Sequence, residues 1–163
     1  MVGITASVLC ATVMASIPTF SRNGAFEACK NAQNIIEASE KNNLDPYILT
    51  AMIQVESNWS PKVVSVSNAC GLTQVLARYS KHTCSELKDP KTSIFEGARM
   101  LSYWTNVYAK KDVELGLCAY NEGFRCGRNK RRKRGLTYAK KVVRMAASLK
   151  TKGEDKCLST YCY

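Results

Sequence analysis

The sequence predicts a single, mainly α domain. Apolar residues recur at spacings of three and four along nearly the whole chain from residue 25 onward. No stretch alternates apolar and polar residues for long enough to make a sheet of any size, and a short hairpin would fit within 63–70. With 163 residues and no internal repeat, the chain can build one sizeable core but not two.

Taken in order, residues 1–20 carry no charged side chain and are rich in small and apolar residues. Val13-Met14-Ala15 resembles a signal-peptidase site, although no positive n-region precedes it. The competing reading is a short membrane-inserting segment, since ~20 residues just span a bilayer. Ala25, Ala28, Cys29, Ala32, Ile35, Ile36 and Ser39 then form one narrow stripe, which predicts a helix stopped by a left-handed residue at Asn42-Asn43. Asp45 is a natural cap and Pro46 suits a first turn, so the next helix covers 47–58 with Leu49, Met52, Ile53 and Glu56 on one face. Around Pro61 the chain reads as irregular, followed by a short helix over 74–79. Pro90 opens a long helix whose stripe is Ile94, Gly97, Ala98, Leu101, Trp104 or Thr105, and Tyr108. A short helix over 113–120, a loop over 123–135 and a last helix marked by Tyr138, Val142, Met145 and Leu149 complete the domain. The organisation expected is an apolar segment at 1–20, a domain at 25–150 and a polar, mobile tail at 151–163.

Lys and Arg outnumber Asp and Glu 24 to 13, a formal charge of +11. This favours anionic polymers or surfaces without specifying a fold. Seven of the ten residues from Arg125 to Arg134 are basic, which reads first as a solvated loop and second as an attraction to carboxylates or anionic wall polymers. No nucleic-acid motif accompanies it, so no specific nucleic-acid partner is expected. Eight cysteines with no Cys-x-x-Cys pair, and His82 as the sole histidine, do not suit zinc. The even count suits disulfides in an oxidising compartment, with reduced buried thiols as the alternative. Cys118–Cys126 and Cys157–Cys162 are the nearby pairs to test.

Glu56 is the one acid on an otherwise apolar helix. Burial there would raise its pKa and keep it protonated near neutrality, as a general acid requires. Three compact motifs surround it: Glu56-Ser57, Gly71-Leu72-Thr73-Gln74 and Ala119-Tyr120-Asn121-Glu122-Gly123. Together with Pro61, Ser65, the run from Pro90 to Gly97, and Tyr138 ahead of Lys141-Val142, they resemble the catalytic region of the soluble lytic transglycosylase (SLT) family, relatives of goose-type lysozyme. The likeness covers roughly residues 28–146 in the family's order.

The resemblance implies a lysozyme-like fold and cleavage of the β-1,4 bond between N-acetylmuramic acid and N-acetylglucosamine in peptidoglycan. Glu56 would protonate the bridging oxygen, then help the muramyl C6 hydroxyl attack the anomeric carbon, leaving a 1,6-anhydro end. One residue then serves as acid and base, whereas ordinary glycoside hydrolysis uses two carboxylates. No metal or organic cofactor is implied. Ser57, Gly71, Gln74, Tyr120, Asn121 and Tyr138 take the substrate-side positions of the family, with Tyr138 aimed at the acid. Read as isolated residues, Ser57 would bond its own helix, Gly71 would serve a turn, and Tyr120 and Tyr138 would pack. Ser93, Leu76-Ala77 and Glu122 depart from the family's Asn, Met-Pro and Ala. Glu122 could supply a second carboxylate for a hydrolase, but reads first as solvated, and Glu96, Asp89 and Asp112 read as surface or capping acids. The expected partner is the glycan strand, with secretion-machine or virion proteins as further partners and the membrane through residues 1–20. The setting is an exported, periplasmic or envelope-associated enzyme, or a phage virion. A non-catalytic glycan-binding module on the same scaffold is the alternative class.

Overall fold

The computed structural model describes residues 4–17, 19–127 and 130–160. Seven α-helices and one two-stranded sheet make up the described chain. Helix α1 (Ala6–Met14) is capped by Thr5, whose hydroxyl accepts from the Val8 amide at 3.3 Å. It lies against α2 (Arg22–Lys30) and the last helix, α7 (Lys130–Thr160), and Leu9, Val13 and the following Phe20 are fully buried. The disulfide Cys10–Cys29 fastens α1 to α2. The apolar N-terminal residues therefore supply one wall of the core. No helix among the described residues is long and apolar enough to cross a membrane.

The stripe expected to form one helix from residue 25 is divided in two. Helix α2 ends at Lys30, and α3 (Ala32–Asn42) begins after Asn31, whose side-chain amide donates back to the Glu27 carbonyl and carboxylate at 3.0 and 3.1 Å. Asn43 then takes the left-handed conformation that stops the helix, as its position predicts. Helix α4 (Pro46–Ser57) matches its expected start. Asp45 accepts from the Tyr47 amide at 2.8 Å and Pro46 occupies the first turn. Leu49, Ala51, Met52 and Ile53 are all fully buried, which makes α4 the central helix of the domain.

After α4, two consecutive left-handed residues, Asn58 and Trp59, turn the chain, and Trp59 is buried. The strands are β1 (Ala69–Cys70) and β2 (Val75–Leu76), antiparallel with Cys70 opposite Val75. A single bridge from Val64 to Cys70 is all that pairs within 63–70, so the hairpin lies one motif later than expected. Its turn is Gly71–Gln74, and the helix expected over 74–79 reduces to a 3-10 turn at Ala77–Tyr79. Cys70–Cys84 joins the hairpin to the segment that precedes α5 (Pro90–Ser102). Asp89 caps α5 through the Thr92 amide at 2.8 Å. The helix then widens into a π-helical stretch, Tyr103–Tyr108.

Asp112 caps α6 (Val113–Glu122) in the same way, and Cys118–Cys126 closes the 3-10 turn that follows it. Helix α7 (Lys130–Thr160) starts inside the expected loop and runs ten residues beyond Lys150. Gly153 in that extension is buried where an added Cβ would strike the Tyr47 hydroxyl, so α7 crosses the start of α4 at close range. The pairing Cys157–Cys162, the basic residue Arg128 and the side chains of residues 130–132 lie outside the described part of the structure. Replacing Cys10 and Cys29 together by Ala is expected to lower stability by about 3 kcal/mol, and the melting temperature by roughly 5–10 °C, because a 19-residue cross-link leaves the unfolded chain. Calorimetry under oxidising conditions measures it.

Candidate active site

Glu56 sits one residue before the end of α4 and is only partly exposed. The Tyr138 hydroxyl, carried by α7, donates to Glu56 Oε1 at 2.6 Å. Burial pushes the Glu56 carboxyl from its ordinary 4.5 up to about 7, against the smaller lowering effect of the Tyr138 hydrogen bond. Tyr138 itself is held well above the usual phenol range, by burial first and by the neighbouring Glu56 charge second. It therefore stays a donor. With Oε1 occupied by that donor, the carboxylic proton belongs on Oε2, the oxygen left free to face a substrate.

The Gly71–Gln74 turn closes the site from the hairpin side. The Tyr120 hydroxyl, from α6, donates to the Thr73 carbonyl at 2.7 Å. The Thr73 hydroxyl donates to the Ser93 carbonyl at 2.8 Å, and the Ser93 hydroxyl accepts from the Thr73 amide at 3.2 Å. Gly97 lies under Thr73 so closely that a Cβ there would overlap it. Thr73 is thus the residue through which α5 and α6 hold the turn. Sequence reasoning quoted it within its motif without assigning it a role, and no local pattern marks it, because its partners lie 20 and 47 residues away.

The model covering residues 33–143 is the transglycosylase SLT domain. The chain belongs to this SLT family. It is 38% identical over 93 residues to the endo-type membrane-bound lytic murein transglycosylase A of Salmonella typhimurium, covering 47% of this chain and 46% of that protein. The same figures hold for the proteins of that name in Salmonella enteritidis and Salmonella choleraesuis. The chain spans about half the length of these curated relatives.

Within this SLT domain the residues expected at the site are placed as follows. Gln74 has a left-handed backbone, and its side-chain amide donates to the Gly71 carbonyl at 3.0 Å and the Val63 carbonyl at 3.3 Å, so its NH2 group braces the turn and its amide oxygen is the atom without a protein partner in that pair of bonds. Gly71, with φ +74°, has the Leu87 carbonyl where a Cβ would stand, which accounts for the glycine by the turn alone. Ser57 is buried and bonds back to the Ile53 carbonyl at 3.2 Å. Asn121 is exposed at the end of α6. Tyr138 is the residue bonded directly to Glu56, while the Tyr120 phenol is raised by burial first and by the Glu56 charge second.

Two acids differ from expectation. Glu96 is not a surface acid: it is buried, accepts from Ser80 at 2.8 Å, and is gripped by Arg99 at 2.8 and 2.9 Å, which holds it below the usual carboxylate range. Glu122 is not freely solvated, since Arg134 approaches it at 3.4 Å and its side chain is only 11% exposed. Among the described residues no cluster of three or more His, Cys, Asp or Glu side chains is gathered as a metal site would need.

Tyr138→Phe removes the one interaction that lowers the Glu56 pKa. The variant is expected to keep its fold but titrate its acid at higher pH, moving the alkaline limb of the pH–rate profile upward while reducing the maximal rate about ten- to a hundredfold through loss of positioning.

Proposed function

We propose that the chain is a peptidoglycan lytic transglycosylase that cuts the β-1,4 bond between N-acetylmuramic acid and N-acetylglucosamine and leaves a 1,6-anhydromuramyl end. The observation that carries the reading is the pairing of a sheltered Glu56, pKa about 7, with a Tyr138 hydroxyl 2.6 Å away. At neutral pH a large fraction of Glu56 is protonated and can pass its proton from Oε2 to the bridging oxygen. The resulting carboxylate, steadied by Tyr138, accepts the proton of the muramyl C6 hydroxyl as that oxygen closes on the anomeric carbon. Because the nucleophile belongs to the substrate, no second protein carboxylate is required. The engagement of Glu96 by Arg99 and of Glu122 by Arg134 favours this one-acid scheme over a lysozyme-type hydrolase.

The three disulfides among the described residues and the membrane-bound relatives favour action at the cell envelope. Opening the wall locally for a secretion or conjugation machine, or for a phage, is the role we assign. Purified peptidoglycan incubated with the protein should release 1,6-anhydro muropeptides by mass spectrometry. Products with reducing ends would mean hydrolysis, and glycan binding without turnover would mean a structural module.

A further inference from the structure

We propose that a cationic cavity between the N-terminal segment and α7 is a subsite for the carboxylates of a peptidoglycan stem peptide; this rests on the reaction proposed above. The cavity has a volume of about 490 Å³. Ser16 and Thr19 form one wall, and Thr137, Lys141, Arg144 and Lys152 of α7 form the other. Three cations line it and no acidic residue does. Their spacings of three and eight place them along one stripe of the helix. Lys152 Nζ reaches across to the Ser16 hydroxyl at 3.3 Å, so one cation is already held at the wall rather than free in solvent.

Both walls of the cavity are tied to the elements that carry the catalytic acid and its partner. Thr137 directly precedes Tyr138, the partner of Glu56, and Lys141 lies one helical turn further on. The opposite wall is fixed to α4, because the Gln54 amide donates to the Thr19 carbonyl at 3.3 Å, two residues before Glu56. At ~1.5 Å of rise per residue, Lys141 and Arg144 stand roughly 5 and 9 Å along α7 from Tyr138. An extended peptide advances at most ~3.5 Å per residue. A stem peptide leaves the lactyl group of the same muramyl sugar whose bond Glu56 protonates. Its second residue, roughly 7 Å out, bears a free carboxylate, and in many walls so does its third, roughly 10 Å out. The first distance falls between those of Lys141 and Arg144, and the second lies about 1 Å beyond Arg144, within reach of its long side chain. The guanidinium of Arg144 suits two-point binding of a carboxylate. The stem is covalently tied to the cleaved glycan, so its local concentration at this wall exceeds that of any diffusing anion. That argues for a stem carboxylate over a lipid or wall-polymer phosphate.

The test compares intact peptidoglycan with the same glycan stripped of stem peptides by an amidase, using the full chain. Wild type should process peptide-bearing strands with kcat/KM about tenfold higher than stripped strands. The Lys141→Gln/Arg144→Gln double variant should bring this ratio close to one by losing rate on peptide-bearing strands alone. An unchanged ratio, or an equal loss on both substrates, overturns the proposal. A second readout needs no turnover: a soluble acidic stem tetrapeptide titrated into the protein should give saturable amide shifts at Thr19 and along residues 137–148. Binding should weaken about tenfold in the double variant, and equally when the peptide carboxylates are amidated. Absence of saturable shifts, indifference to amidation, or tighter binding of inorganic phosphate or anionic phospholipid vesicles than of the peptide would each overturn it. Peptide binding with no anhydro product from either substrate would support the subsite and reject the reaction.

Discussion

Glu56→Gln is expected to abolish release of anhydro muropeptides while making the folded protein more stable above neutral pH. The amide has the shape of the carboxylic acid and can still accept from Tyr138, but it has no proton to give and cannot take one back. Because one residue performs both transfers, the loss should be at least about 10³-fold. The stability effect follows from the direction of the pKa change. A carboxyl whose folded pKa is raised favours the folded state fully at pH below its unfolded value, near 4.5, where both states are protonated. Between 4.5 and about 7 the unfolded chain ionises while the folded one resists, and stability falls; above about 7 both are ionised and the deficit is complete. At ~1.4 kcal/mol per unit this amounts to roughly 3 kcal/mol. Glutamine never ionises, so denaturation at pH 8 should show the variant ahead by an amount of that order, and denaturation at pH 4 should show little difference. In the wild type the same titration should make activity decline as pH rises through about 7.

Gly71→Ala is expected to cost more than about 4 kcal/mol, or to prevent folding altogether. The position has φ +74°, and an added Cβ would collide with the Leu87 carbonyl and come within 2.8 Å of Ser93 Oγ. Leu87 is fully buried and its carbonyl is backbone, so nothing flexible is present to move aside. The displaced turn would carry Thr73 and Gln74 with it, and the Tyr120–Thr73 bond would be lost. Gly123 provides the contrast. It too has positive φ, +64°, but nothing lies within 4 Å of its Cβ position, so Gly123→Ala should cost only the backbone strain, about 1–3 kcal/mol. Chemical denaturation of the two variants side by side separates packing from conformation.

What the sequence made legible and what it hid divide by range of interaction. Helix α4 was readable because its signals are local: Asp45 and Pro46 start it, and an apolar stripe with Glu56 on it fills the body. The break at Asn31 was hidden because the stripe of Ala28, Ala32 and Ile35 stays in phase across it, while the interruption depends on Asn31 bonding back to Glu27. Gln74 looked like a helix residue, yet its left-handed turn exists only because Cys70 and Val75 pair across it. The continuation of α7 past Lys150 was hidden by its polar composition; its contact with Tyr47 requires the small Gly153, which reads locally as a helix breaker. At the site, Glu56 and Tyr138 could be chosen through motif resemblance, but their contact spans 82 residues. Glu96 misled for the same reason, since its burial depends on Ser80 reaching it from another segment as well as on Arg99.

The proposed reaction depends on a carboxyl that the surrounding protein keeps largely protonated up to neutral pH. Titration of the Glu56 side-chain carboxyl by carbon NMR, with Glu56→Gln identifying the resonance, measures that directly. A midpoint near 7, rising further in Tyr138→Phe, is the predicted result. A midpoint at the ordinary 4.5, unaffected by Tyr138, would contradict it.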